Sequence, residues 1–291
     1  MTEIFDRRFH PVRADLAASD YRGRVSDRRF ADGTAMQVVA DQVALRPVAD
    51  LSRPIDSEAL HGERVTVYED TGDGWCWGQL ETDGYVGFLP SAALAPAGAP
   101  PTHRVAVLRS YRYPVADLKF PPLGLLSFGA RVKVVGRTVT RGLAYALLAD
   151  GSAMVERHLV PVDHRAEDWV GQAELFLGTP YLWGGRSSLG LDCSALVQLP
   201  ALAAGHDCPR DSDMQEARFG TALDISQGLP ELRRGDLVFW KGHVAIMAAP
   251  DTLLHANGYT MTVAYEPLEA AVERIARTEW GEVTACRRVG G

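Results

Sequence analysis

"PYLWGGRSSLGLDCSALVQ", residues 180 to 198, is the stretch whose reading decides the fold of the chain's second half. Gly184, Gly185 and Gly190 permit a tight turn and a close backbone approach. Directly after the turn, Cys193 opens an apolar run of helical period with Leu196, Val197 and Leu199 on its buried side. A cysteine at a helix N-terminus faces unpaired N–H groups and partial positive charge, which hold a thiol below its usual value of ~8.5. The stretch therefore predicts an ionised sulfur presented to a cleft. Pro200 lies about two turns into the helix, where it removes a backbone bond and is expected to kink or shorten it.

Downstream, the runs "GDLVFW", "HVAIMAA", "TLLHAN" and "MTVAYEPL" read as strands, "LEAAVERIART" as a helix and "VTACRRV" as a last strand. Upstream, Val170, Ala173, Phe176 and Leu177 form the stripe of a short helix that stops at Gly178 and Pro180. Helices followed by an antiparallel meander predict an α+β domain over residues 164–291. His243 begins an apolar strand, a position more often held by Val or Ile. A turn near Pro250 and Asp251 would place His243 and His255 roughly opposite one another, so that one imidazole orients the other. Cysteine, base and orienting group together are what nucleophilic thiol catalysis needs.

The remaining composition narrows the function. The chain has 291 residues, 46% hydrophobic and 23% charged, with a net charge of −7, which is globular in composition and argues against a nucleic-acid or anionic-membrane partner. No signal peptide or membrane span is visible, so the expected location is the cytoplasm. Cys76, Cys193, Cys208 and Cys286 show no C-x-x-C pairing, so no disulfide framework is signalled; Cys76 and Cys286 read as small buried hydrophobes. A zinc site from Cys193, Cys208, His243 and His255 lacks ligand spacing, and no metal or organic cofactor is expected. His10, His61, His103, His158, His164 and His206 read as solvated.

The first half carries an approximate repeat. "GERVTV" at 62–67 recurs as "GARVKV" at 129–134 and "DG" at 83 recurs at 150, both displaced by 67 residues. V-x-V alternation with Gly-rich turns predicts two small all-β barrels, over residues 41–95 and 102–163, after an N-terminal extension of residues 1–40. "APAGAPPT" at 95–102 links them.

"GERVTVYEDTGDGWCWGQLETDGYVGFLP" resembles bacterial SH3-like domains. "YLWGGRSSLGLDCSALVQ", "PRDSDMQ", "RRGDLVFWKGHVAIM" and "LLHAN", in that order, resemble the NlpC-like family of cell-wall cysteine peptidases, which implies a papain-like catalytic domain behind two SH3-like barrels. The resemblance implies Cys193 as nucleophile, His243 as general base, His255 as orienting residue and Tyr181 as a polariser of the scissile carbonyl, with Trp183 walling the cleft. The domain arrangement is similar to the γ-D-glutamyl-L-diamino-acid endopeptidases that act on murein peptides with a free N-terminal L-Ala. Selecting a free α-ammonium calls for fixed carboxylates, for which Asp192 and Asp211 are candidates. The resemblance further implies that Ser194 and Ser212 bind the D-Glu α-carboxylate. From the first barrel, it implies Tyr85 and an acid, Glu58 or alternatively Glu69, at the end of the site. Two other functions remain open on sequence: a wall-acting amidase or endopeptidase with wall-binding barrels, and a silent murein-binding protein.

Overall fold

Alternating apolar and polar residues and closely spaced turns build the first half from strands. The computed structural model describes residues 4–278 and 280–290, and two units separate at Val162 and Asp163. In the first unit, β1 (Leu16–Ala18) and β2 (Arg29–Ala31) pair in parallel. There follow β3 (Thr34–Val38), β4 (Gln42–Leu45), β5 (Ser57–Leu60), β6 (Arg64–Asp70), β7 (Trp75–Leu80), β8 (Val86–Pro90) and β9 (Leu94–Pro96). One sheet runs β8-β7-β6-β3-β9. The β4–β5 hairpin is tied to it by reciprocal backbone bonds between Arg46 and Phe88, each 2.8 Å.

The second barrel contains β10 (His103–Val105), β11 (Arg109–Tyr113), β12 (Gly124–Ser127), β13 (Arg131–Val132), β14 (Val134–Thr140), β15 (Leu143–Leu148), β16 (Ala153–Val155) and β17 (Leu159–Pro161). Its sheets run β12-β11-β16-β15-β14 and β13-β10-β17. The repeat is structural: β4, β5, β6 and β8 begin at 42, 57, 64 and 86, and β11, β12, β13 and β16 begin 67 residues later. Gly62 and Gly129, which open the repeated motif, both take positive φ, 79° and 85°.

Residues before 41 belong to the first barrel rather than forming a separate extension. β3 is an inner strand of its sheet. Leu16 packs on Trp77 and Val86, and the Arg13 guanidinium lies 4.5 Å from the Trp77 ring centroid. Arg13 and Arg29 donate to Glu69 at 2.5 and 2.6 Å.

The second unit begins with α1 (Trp169–Glu174), capped by Asp168, whose carboxylate accepts from Gly171 N–H at 3.0 Å. A short hairpin of β18 (Arg186–Ser187) and β19 (Gly190–Leu191) leads into α2 (Cys193–Ala204). Then come α3 (Ser212–Arg218), β20 (Thr221–Leu223), β21 (Asp236–Trp240), β22 (His243–Ala249), β23 (Thr252–Asn257), β24 (Thr262–Pro267), α4 (Leu268–Thr278) and β25 (Ala285–Arg288). One antiparallel sheet runs β20-β25-β21-β22-β23-β24, with α2 packed on β22 and β23.

Pro200 does not end α2. The helix continues to Ala204 and stops at Gly205, whose left-handed conformation lets its N–H reach the Ala201 and Leu202 carbonyls. Burial on almost every side carries α2 past the missing bond, since every residue from Cys193 to Ala201 is buried. All four cysteines are buried free thiols.

Leu16 is 2% exposed. Leu16→Ala is expected to lower the stability of the first unit by roughly 2–5 kcal/mol. Urea unfolding followed by the fluorescence of Trp75 and Trp77 measures this, and an unchanged midpoint would show that the N-terminal residues do not support the barrel.

Candidate active site

The turn before α2 is held by one carboxylate. Asp192 caps the helix: Oδ1 accepts from Ala195 N–H at 2.8 Å and Oδ2 from Gly184 N–H at 3.1 Å. Arg210 then grips both oxygens, Nη1 to Oδ1 at 2.9 Å and Nη2 to Oδ2 at 2.8 Å, and its side chain is fully buried. The backbones cross so closely that a Cβ on Gly185 would fall 2.6 Å from the Gly190 carbonyl oxygen. The expectation that Asp192 selects a substrate ammonium is corrected here, because both oxygens are committed inside the domain. The Ser194 hydroxyl is committed likewise, donating to Asp192 Oδ1 at 3.1 Å and accepting from Arg210 Nη1 at 2.9 Å.

Cys193 stands at the first residue of α2, where the backbone N–H groups of Val244 and Ser194 act to lower its thiol. α2 packs on β22, the strand that His243 opens. His243 Nε2 lies 3.0 Å from His255 Nδ1, with the rings edge to face.

The two histidines do not face each other directly. Ile246 pairs with Leu254 and Met247 with Leu253, so the register sets His255 against Ala245 and leaves His243 two residues along on the same face. The turn is centred between Pro250 and Asp251, and a bulge between Met247 and Ala249 shifts the register by one residue, which brings His243 and His255 onto one face. The rings meet diagonally across the two strands.

The electrostatics run against the ionised sulfur expected from the helix N-terminus. Burial pushes the Cys193 thiol up to about 12, the Asp192 carboxylate adds to this, and the Val244 N–H opposes it without prevailing. Burial likewise brings His243 down to about 3, with His255 contributing. Both shifts favour the neutral form, of the thiol and of the imidazole.

Tyr181 is half-buried on a segment laid along β24: its N–H donates to Met261 O at 2.9 Å and it bridges to Leu191. Trp183 is 58% exposed, so it is not core. Asp211 precedes α3 and Ser212 opens it, both half-buried, and Asp211 makes no side-chain cap bond. In the first unit, Glu58 on β5 and Tyr85 before β8 are both buried. Glu69 is neutralised by Arg13 and Arg29.

The histidines read as solvated are mostly placed. His61 Nδ1 lies 3.1 Å from Val39 O, His158 Nδ1 lies 2.9 Å from Ser110 Oγ, and His10 packs against Phe5, Phe9 and Tyr21.

Sequence reasoning missed the supporting polar groups. Arg210 and Gln215 sit in the quoted "PRDSDMQ", yet nothing in their spacing marked them. Gln215 Nε2 donates to Ser194 O at 2.9 Å and Pro209 O at 2.8 Å, and Arg186 Nε to Gln198 Oε1 at 2.6 Å. Glu266 was missed as well. Its Oε2 is 3.0 Å from His255 Nε2, an ion-pair distance away from the straight hydrogen-bond line. Arg274 holds it bidentately and, with His255, brings its carboxyl down to about 2.

Residues 178–281 match the NlpC/P60 family. The C-terminal unit is an NlpC/P60 domain. Residues 45–94 match the bacterial dipeptidyl-peptidase SH3 domain, so an SH3-like barrel lies N-terminal to it. The γ-D-glutamyl-L-lysine dipeptidyl-peptidase of Bacillus cereus is 27% identical over 249 residues, 74% of this chain and 71% of that one. The enzyme of the same name from Bacillus subtilis is 37% identical over 109 residues, 33% of this chain and 35% of that one. A solved NlpC/P60 family protein from Bacillus cereus superposes with a TM-score of 0.71 at 21% identity, covering 88% of this chain and 99% of that one, a likeness of fold. The protein is a hydrolase of the cysteine peptidase class, with relatives that support a peptidoglycan peptidase activity.

Removing one partner of the buried Asp192–Arg210 pair leaves the other charge uncompensated. Asp192→Ala or Arg210→Ala is expected to cost the second unit roughly 3–5 kcal/mol, read by denaturant unfolding. Alkylation of Cys193 by iodoacetamide, with Cys193→Ser as background, follows the thiolate fraction. With the thiol at about 12, the rate rises with pH, about tenfold per unit between pH 7 and 10. A rate already level at pH 6 would show a preformed ion pair instead.

Proposed function

We propose that the protein is a γ-D-glutamyl-L-diamino-acid endopeptidase acting on murein peptides with a free N-terminal L-Ala. The observation that supports the reading is the packing of α2, which Cys193 opens, on β22 and β23, whose His243 and His255 imidazoles lie 3.0 Å apart. The substrate class draws support from the names of the two Bacillus relatives.

In the proposed reaction, His243 takes the Cys193 proton as Sγ attacks the γ-carbonyl carbon of D-Glu. The Cys193 N–H and Tyr181 hold the oxyanion. His243 returns the proton to the departing α-amine of the diamino acid, leaving a thioester. Water, deprotonated by His243, attacks the thioester, releases L-Ala-γ-D-Glu and restores the thiol. With Asp192 committed internally, Asp211 is the carboxylate offered to the α-ammonium, with Ser212 beside it for the D-Glu carboxylate. A peptide with a free alanine amine has already left its glycan, so this reading places the enzyme in peptide recycling in the cytoplasm.

The expected outcome is that L-Ala-γ-D-Glu-diaminopimelate and its lysine counterpart are cut between the second and third residues. The N-acetylated forms stay intact, and Cys193→Ala cuts none. Mass spectrometry of the incubations decides: equal cleavage of acetylated and free peptides sinks the amine requirement, and activity in the variant sinks the nucleophile.

A further inference from the structure

Across β22, β23 and β24, three polar side chains line up where apolar ones would otherwise continue the sheet. His243 lies two residues from the position opposite His255. His255 pairs with Ala264, and Glu266 lies two residues beyond on the same face. The His243–His255 and His255–Glu266 contacts are both 3.0 Å, and Arg274 of α4 closes the row with bonds of 2.9 and 2.8 Å to the two Glu266 oxygens. The Arg274 guanidinium lies 4.5 Å from the Tyr259 ring centroid. We propose that Glu266, held by Arg274, is a positioning residue that sets the tautomer of His255 and, through it, that of His243. The inference rests on the reading of Cys193 and His243 as the reacting pair.

The argument follows the protons. A carboxylate offers only lone pairs, and the His255 ring is fully buried with Nε2 facing Glu266 Oε2. A lone pair on Nε2 at that distance would repel the oxygen, so Nε2 carries the hydrogen even where the contact is not in line. A neutral imidazole carries one N–H, which leaves His255 Nδ1 as an acceptor. His243 Nε2 faces that acceptor and therefore donates to it. His243 Nδ1 is then the bare nitrogen, able to take the Cys193 proton. Among the described residues, the charged or titratable groups that act on the His243 ring are His255, Arg274 of α4 and Glu266 of β24, and Glu266 is the one that imposes a direction on the row.

Long-range proton–nitrogen spectra of the full-length protein carrying nitrogen-15 histidine read the tautomers without any substrate, so this test stands even if the peptidase reading fails. The expected wild-type result at neutral pH is Nε2–H on both rings. Glu266→Gln offers an amide N–H to His255 and should move the proton to Nδ1; Glu266→Asp should retain the wild-type pattern. On the γ-D-glutamyl peptide, Glu266→Gln should lower kcat at least about 100-fold, the scale of a wrong-tautomer defect, with KM within about threefold, and Glu266→Asp should recover most of the loss. Nδ1–H on His255 in the wild type overturns the proposal, as does a Glu266→Gln variant with altered tautomers and unchanged kcat. If Glu266→Gln does not fold, the wild-type spectrum alone decides.

Discussion

The buried pair of Asp192 and Arg210 is the constraint on which the site depends. One carboxylate caps α2, pins the glycine turn through Gly184 and anchors the Ser194 hydroxyl; one guanidinium balances its charge and reaches the Gly185 carbonyl. The position of Cys193 is a consequence, since it is the residue between the cap and the first bonded turn. A buried pair of this kind contributes little net stability over an apolar replacement, yet each partner is costly to lose alone. Its value here is geometric. It aims the N–H groups at the head of α2 while its own negative charge works against ionising the sulfur, and with burial that charge outweighs the N–H groups.

That balance changes the chemistry the site supports. A helix terminus in open solvent would favour a standing thiolate, whereas this one is sealed. Moving a proton from sulfur to imidazole creates two opposite charges at once, so each compensates the other as the reaction proceeds. In the proposed reaction both charges arise in the transfer itself, so its course depends on where the imidazole's lone pair points.

Much of this was legible in the sequence. Period-two alternation and the 67-residue displacement carried the two barrels, because the pleat and turn glycines leave local signatures. The glycine turn, Cys193 and the two histidines were visible because each residue type is unusual at its place. Three things were not. Leu16 and Arg13 join the first barrel through contacts distant in sequence, which periodicity does not record. Arg210 and Glu266 look like ordinary surface charges until the fold surrounds them. The roles expected of Asp192 and Ser194 were misjudged because sequence adjacency to a nucleophile does not say which way a side chain turns. Pro200 misled for the opposite reason: local propensity spoke for a break, and packing on all sides overrode it.

The bulge between Met247 and Ala249 ties the histidine pair to parity. Side chains on a strand alternate faces, so His243, His255 and Glu266 share a row only because the counts between them suit the register. An odd change in hairpin length that shifted pairing would turn His255 to the other face; an even one would merely slide it. The hairpin between β22 and β23 therefore works as a counting device. Its length, more than its composition, is the quantity that divergence in this chain can alter least freely.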